Sequence, residues 1–143
     1  MSTTKQTVRH FFAAHGSIAA LEMYENSIRM FDNDRMFEEY FVGSWFLRGI
    51  VRTWRGIKDL ETLFRIGHYM NLSAIAKEQR DCVPEGTYDR YFTRAVERCL
   101  CLRGDEVKKM RKFGAMFESF EDFRKQYPHV QSWARIKAEV LSA

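Results

Sequence analysis

The sequence predicts an all-α fold, a compact bundle of about seven to nine helices with a central aromatic-rich helix, as one domain over residues 1–143. Three observations predict it. Only two prolines occur in 143 residues, Pro84 and Pro128, and sandwiches or barrels need more turn residues than that. Ala, Met, Leu, Glu, Lys and Arg, the good helix formers, are abundant. Apolar residues recur at helical spacing along the chain, with no Gly/Ser-rich or Pro-rich linker, long repeat or low-complexity tract.

A first helix spans about 4–14 and closes at Gly16, which tolerates the left-handed conformation. Ser17 caps a second, about 17–31, whose Ile18, Leu21, Ile28 and Phe31 share one side. Asp32, Asn33 and Asp34 form a break. The third helix, about 34–55, is the longest and the expected centre. Phe37, Phe41, Trp45 and Ile50 form one ridge and Tyr40, Leu47, Val51 and Trp54 another. Gly43 and Gly49 offer close helix approach and Gly56 ends the helix. Further helices follow at about 58–69, 72–80 and 85–102, the last closed by Gly104. Asp105 caps one over about 105–116, and the SFED pattern at 119–122 caps one that stops before Pro128. A last amphipathic helix, about 129–141, carries Val130, Trp133, Ile136 and Val140.

Composition excludes several classes. Apolar residues make up 45% and charged residues 29%, so the chain is globular rather than disordered. Three cysteines without framework spacing, Cys82, Cys99 and Cys101, point to a reducing, cytoplasmic setting. The N-terminal residues lack the apolar core of a signal peptide, and the aromatic run at 36–54 carries Glu38, Glu39, Arg48 and Arg52, so no membrane span is expected. Net charge is +4. Residues 1–56 hold 7 basic and 6 acidic groups against 16 and 13 in residues 57–143, which places most of the excess in the second part.

Catalytic, metal and cofactor chemistry finds no motif. His10, His15, His68 and His129 lack metal-ligand spacing, and Cys99 and Cys101 point apart on a helix. Glu38 and Glu39 splay around a helix rather than converge. Neither a phosphate-cradling glycine loop nor a nucleophile elbow is present. The expectation is a non-enzymatic protein without cofactor.

Two surfaces carry the functional expectation. Over 85–102, Tyr88, Phe92, Ala95, Val96 and Cys99 form an apolar face, while Arg90, Arg94 and Arg98 line another at i, i+4, i+8, with Thr87 upstream. LSAIAKEQ followed by PEGTYDRYFTRAVERC, about 72–99, resembles a helix-turn-helix DNA-binding module. That resemblance implies a recognition helix in the major groove, with Thr87 and Arg90 at bases and Arg94 and Arg98 at phosphates. Lys108, Lys109, Arg111 and Lys112 would add a second basic patch. Major-groove readers often pair, so the resemblance also implies a homodimer. The linker RDCV is longer than the family's turn and carries Asp81, and Glu85 and Asp89 put negative charge at the reading end. The leading expectation is therefore a regulator or accessory factor that contacts DNA. The alternative is a small adaptor or inhibitor, of the kind mobile elements and phages encode, that docks on an acidic or DNA-binding surface of a host protein complex. Trp45 and Trp54 beside Arg48, Arg52 and Arg55 have the composition of such a contact.

Overall fold

The computed structural model describes residues 4–31, 34–56 and 59–142. Among them the chain is all-α, a bundle of eight α-helices and one π-helical turn. Helix α1 is Thr4–Arg29, α2 Asp34–Gly43, α3 Trp45–Arg55, α4 Leu60–Asp81 and α5 Thr87–Leu100. Then come α6 Gly104–Met116, α7 Phe120–Gln126 and the short α8 Trp133–Arg135, which runs into the π turn Ile136–Val140. Asp32 and Asn33, expected in the break after the second helix, lie outside the described residues.

Helix α1 bends where the sequence places an end. Gly16 takes φ 78° and ψ −177°, a non-helical conformation, so α1 is two helical segments that meet there, as expected. The expected helix over 34–55, by contrast, is two helices. Ser44 leaves helical geometry and its hydroxyl accepts a hydrogen bond from the Leu47 amide at 3.3 Å, which caps α3 and ends α2. Helices expected at 58–69 and 72–80 are in fact one, α4. Asp59 caps its start by accepting from Thr62 N at 2.7 Å, and Cys82, at φ 56°, closes it. Nothing between Tyr69 and Leu72 breaks a helix. Asn71 instead clamps α6: its amide donates to Arg111 O at 2.9 Å while its carbonyl accepts from Arg111 Nε at 3.1 Å.

The cap of α5 comes from another helix. Gly86 at its start, φ 92°, has no side chain to offer. The buried Glu78 carboxylate of α4 accepts from Gly86 N at 3.1 Å and Tyr88 N at 2.8 Å, satisfying amides that α5 leaves open and placing negative charge at its positive end. Ser119 caps α7 as expected, accepting from Asp122 N at 3.2 Å. The expected last helix begins later, at Trp133 behind Ser132, and Leu141 N bonds to Ile136 O at 3.0 Å in the i→i+5 pattern.

The centre of the bundle also differs from expectation. Helix α5 packs against α1, α3, α4 and α6, and buries Tyr88, Tyr91, Phe92, Ala95, Val96, Cys99 and Leu100. Helices α4 and α6 make the closest approach. A Cβ built on Gly67 would lie 2.3 Å from Met110 O, and one on Gly114 2.3 Å from His68 N. The seam expected at Gly43 is open space instead. Around Phe113, the rings of Phe64, Phe117, Phe123 and Trp133 lie with centroids 5.0–6.2 Å away. The C-terminal segment is tied on through Glu106, which accepts from Trp133 Nε1 at 2.9 Å and Lys137 Nζ at 2.8 Å.

Candidate interaction surfaces

The cationic line on α5 is only partly open to solvent. Arg90 is exposed, its guanidinium 5.4 Å from the Tyr91 ring centroid. Arg94 is half-buried. Arg98, expected to meet phosphates, instead donates to Glu38 of α2 and lies 5.0 Å from the Phe37 ring. Its charge is matched within the fold, and the three guanidinium groups do not project together. Thr87, expected at a base edge, donates its hydroxyl to Pro84 O at 2.7 Å and closes the local turn.

The four basic residues expected to form one patch on α6 also divide. Lys108 and Arg111 face α5, where Arg111 pairs with Asp89 at 3.0 Å. Lys112 turns to the C-terminal segment and donates to Leu141 O at 3.0 Å. Lys109 is exposed and acts on Glu106, whose carboxyl is held below its ordinary value first by the Lys137 hydrogen bond. The side that α6 turns to α5 forms, with Arg90 and Arg94, a groove of about 540 Å³.

The second surface lies where α2 meets α3. Leu47, Ile50, Val51 and Trp54 bury the inner side of α3. Trp45, Arg48, Arg52 and Arg55 are exposed, and their positions fall within roughly 80° on a 3.6-residue helix. Trp54, expected among the contact residues, is 0% exposed. Nine residues beyond Trp45, it points into the core, so it cannot meet a partner. Trp45 is 51% exposed and Tyr40 49%. Both line a shallow cleft of about 450 Å³ with Glu39 and Phe46. Met36 and Val42 add exposed apolar surface on α2.

Ring contacts support this corner from behind. Phe31 lies 5.1 Å from Tyr40, Phe46 5.8 Å from Trp45, and Phe11 of α1 5.7 Å from Phe46. The exposed rings therefore sit on half-buried ones. Among the described residues no carboxylate pairs with Arg48 or Arg52, and Arg55 reaches only the carbonyl of Arg98, at 3.4 Å. Among the described residues the stripe is thus a row of cations with no carboxylate paired to Arg48 or Arg52, beginning at an exposed indole.

Sequence reading missed a buried cluster where α1, α4 and α5 meet. Glu25 is 0% exposed, and neither carboxylate oxygen has a hydrogen-bond partner among the described residues. Burial pushes its carboxyl up, while Lys77 and Arg29 pull it back down. The Lys77 ammonium lies 5.0 Å from the Phe92 ring, 5.7 Å from Tyr69 and 5.8 Å from Tyr88. Tyr69 donates to Glu22 at 2.7 Å, and burial followed by that bond pushes its phenol up. The only signal in the sequence was a glutamate on the apolar side of α1. Among the described residues no group of three His, Cys, Asp or Glu could hold a metal ion, and no helix is long and apolar enough to cross a membrane. No protein-family model, curated protein or solved structure matches the chain.

Proposed function

We propose that the protein is a non-enzymatic binding factor that docks, through the α2–α3 corner, on an acidic surface of a partner protein. One observation carries this reading: Trp45, Arg48, Arg52 and Arg55 share an exposed stripe, and Arg48 and Arg52 have no acid partner among the described residues. Elsewhere the fold matches many of its charges internally, as at Arg98–Glu38, Arg111–Asp89 and Lys137–Glu106. Exposed Trp and Arg beside a shallow apolar cleft are the residue types that dominate binding energy when an interface excludes water around them. The cations select an acidic partner by complementarity and speed its encounter.

Contact with DNA through α5 has less support. A recognition helix must stand proud enough to enter the major groove. Helix α5 is walled by four neighbours, and two of its four expected contact residues are engaged inside the fold.

The test is photo-crosslinking in native extract with a benzophenone side chain at position 52, and with the same group at exposed Lys125 on α7 as control. The expected result is one dominant partner captured at position 52 and not at 125, joined through a segment rich in Asp and Glu. Equal capture at both positions, or capture through basic segments, overturns the reading.

A further inference from the structure

The α2–α3 corner is apolar at one end and cationic at the other. Trp45, Arg48, Arg52 and Arg55 follow one another at steps of three, four and three residues, rises of about 4.5, 6 and 4.5 Å along the helix axis. At the Trp45 end the cleft is lined by Tyr40, Phe46 and Glu39. The carboxylates nearest in sequence are already matched: Glu39 by Arg35 at 3.3 Å, and Glu38 by Arg98. Among the described residues none pairs with Arg48 or Arg52, and Arg55 donates to Arg98 O at 3.4 Å.

This order specifies the occupant. A carboxylate brought to the cleft would meet Glu39, whereas an apolar side chain there meets Tyr40, Trp45 and Phe46. Acids therefore belong along Arg48, Arg52 and Arg55, and an apolar anchor beside Trp45. The spacing selects the partner's backbone. On a helix, positions three, four and three residues apart share one side and repeat the rises of α3. On a strand, residues of one face recur about every 6.7 Å, so three carboxylates would span about 13.4 Å against about 10.5 Å for the three arginines. Direction follows from the helix dipole. Acids are stabilised at a helix N-terminus, and α3 carries Arg52 and Arg55 in its last turn. An antiparallel partner places its own acidic first turns beside them.

We propose that the α2–α3 corner receives an acidic helix running antiparallel to α3. Its carboxylates stand three and then four residues apart, and a bulky apolar side chain three residues further on enters the cleft beside Trp45. The proposal rests on the docking reading above and adds the partner's fold, spacing and direction.

Fluorescence anisotropy with labelled Ala-rich peptides of about five helical turns tests it. The first peptide carries three glutamates and then a phenylalanine at steps of three, four and three residues. The second has the same composition with the glutamates spread around the helix. The third has the first pattern in reverse chain order. The first peptide should bind wild-type chain at low salt with Kd on the order of 10–100 µM, and its helical circular dichroism should rise on binding. The second and third should each bind at least about fivefold more weakly. Trp45→Ala and Arg48→Ala/Arg52→Ala should each weaken the first peptide at least about tenfold. Arg90→Ala/Lys108→Ala, which removes the same charge elsewhere, should leave it within about twofold. Circular dichroism of each variant verifies the fold.

Equal affinity for the first and second peptides would mean that charge alone drives binding, and overturns the proposal. So does a first peptide that fails to bind wild-type chain, or a third that binds more tightly than the first. The partner captured at position 52 separates this proposal from the reading beneath it. A proline placed midway in its acidic segment should abolish the contact, because it breaks a helix. A contact that survives the proline overturns the helix while the docking reading stands. Capture through no acidic segment overturns both.

Discussion

Gly67 and Gly114 bring α4 and α6 together, and alanine at either position should separate them. The perturbation is one methyl group. At Gly67 it would lie 2.3 Å from Met110 O, 3.0 Å from Met110 C and 3.3 Å from the Arg111 Cα. At Gly114 it would lie 2.3 Å from His68 N and 2.6 Å from Gly67 C. These are backbone atoms of helices held by the Asn71–Arg111 clamp, so neither side can yield by rotating a side chain. Relief needs about 1 Å of backbone movement, since carbon and oxygen or nitrogen otherwise approach no closer than ordinary van der Waals contact. Overpacking of this kind costs about 1–3 kcal/mol and at times more. Alanine's better helix propensity returns up to about 1 kcal/mol. For a chain of this length each kcal/mol moves Tm by roughly 3–4 °C. A net fall of several degrees is expected for each variant, with a larger one for the pair. Gly43→Ala, whose added Cβ meets nothing within 4 Å, is the control and should change Tm by little. Thermal and urea unfolding measure all three. Gly67→Ala and Gly114→Ala as stable as wild type would refute the close crossing.

Two further outcomes follow from the buried carboxylates. Burial raises the Glu25 carboxyl in the folded chain above its ordinary value of 4.5, facing Glu22 and Arg29 of α1 and Lys77 and Arg80 of α4. A raised folded value means that its contribution is fully present below the unfolded value and is lost as pH rises through the folded one. Glu25→Gln should therefore differ little from wild type near pH 4 and become relatively more stable toward pH 8 by urea unfolding, and a difference that is flat across that range contradicts the assignment. Glu78→Ala removes the carboxylate that holds Gly86 N and Tyr88 N. It should cost about 1–2 kcal/mol, the scale of a helix cap, and speed hydrogen exchange at those two amides, whereas unchanged exchange there would show that α5 is capped otherwise.

What was legible in the sequence was local. Gly16 marks the bend of α1, Ser119 the start of α7, and the periodic Tyr88, Phe92, Ala95, Val96 and Cys99 the buried side of α5, because each signal acts within one helical turn. Ser44 was hidden by its surroundings: the apolar pattern runs on across it, though the chain changes direction there. Helix α4 was divided in expectation, yet its buried Leu63, Gly67, Met70 and Ala74 continue at helical spacing past Asn71 and no residue there breaks a helix. The missed features are contacts between distant positions. Gly67 meets α6 some 43 residues on at Met110, and Arg98 meets Glu38 60 positions away. No periodicity within one segment encodes which small residues face each other or which acid neutralises which cation. The same limit explains the candidate surfaces. Composition set Arg48, Arg52 and Arg55 beside Trp45 and Trp54, but only the packed fold shows that Trp54 is inside and Trp45 outside.

Titration of the partner captured at position 52 against wild-type and altered chains tests the docking account most directly. Trp45→Ala and Arg48→Ala/Arg52→Ala should each weaken the complex by at least about 2 kcal/mol, roughly thirtyfold in Kd. The arginine pair should also flatten the salt dependence of association, and Arg90→Ala/Lys108→Ala should leave Kd near the wild-type value. An unchanged Kd in both α3 variants, with their folds intact, would contradict the assignment of the α2–α3 corner as the contact surface.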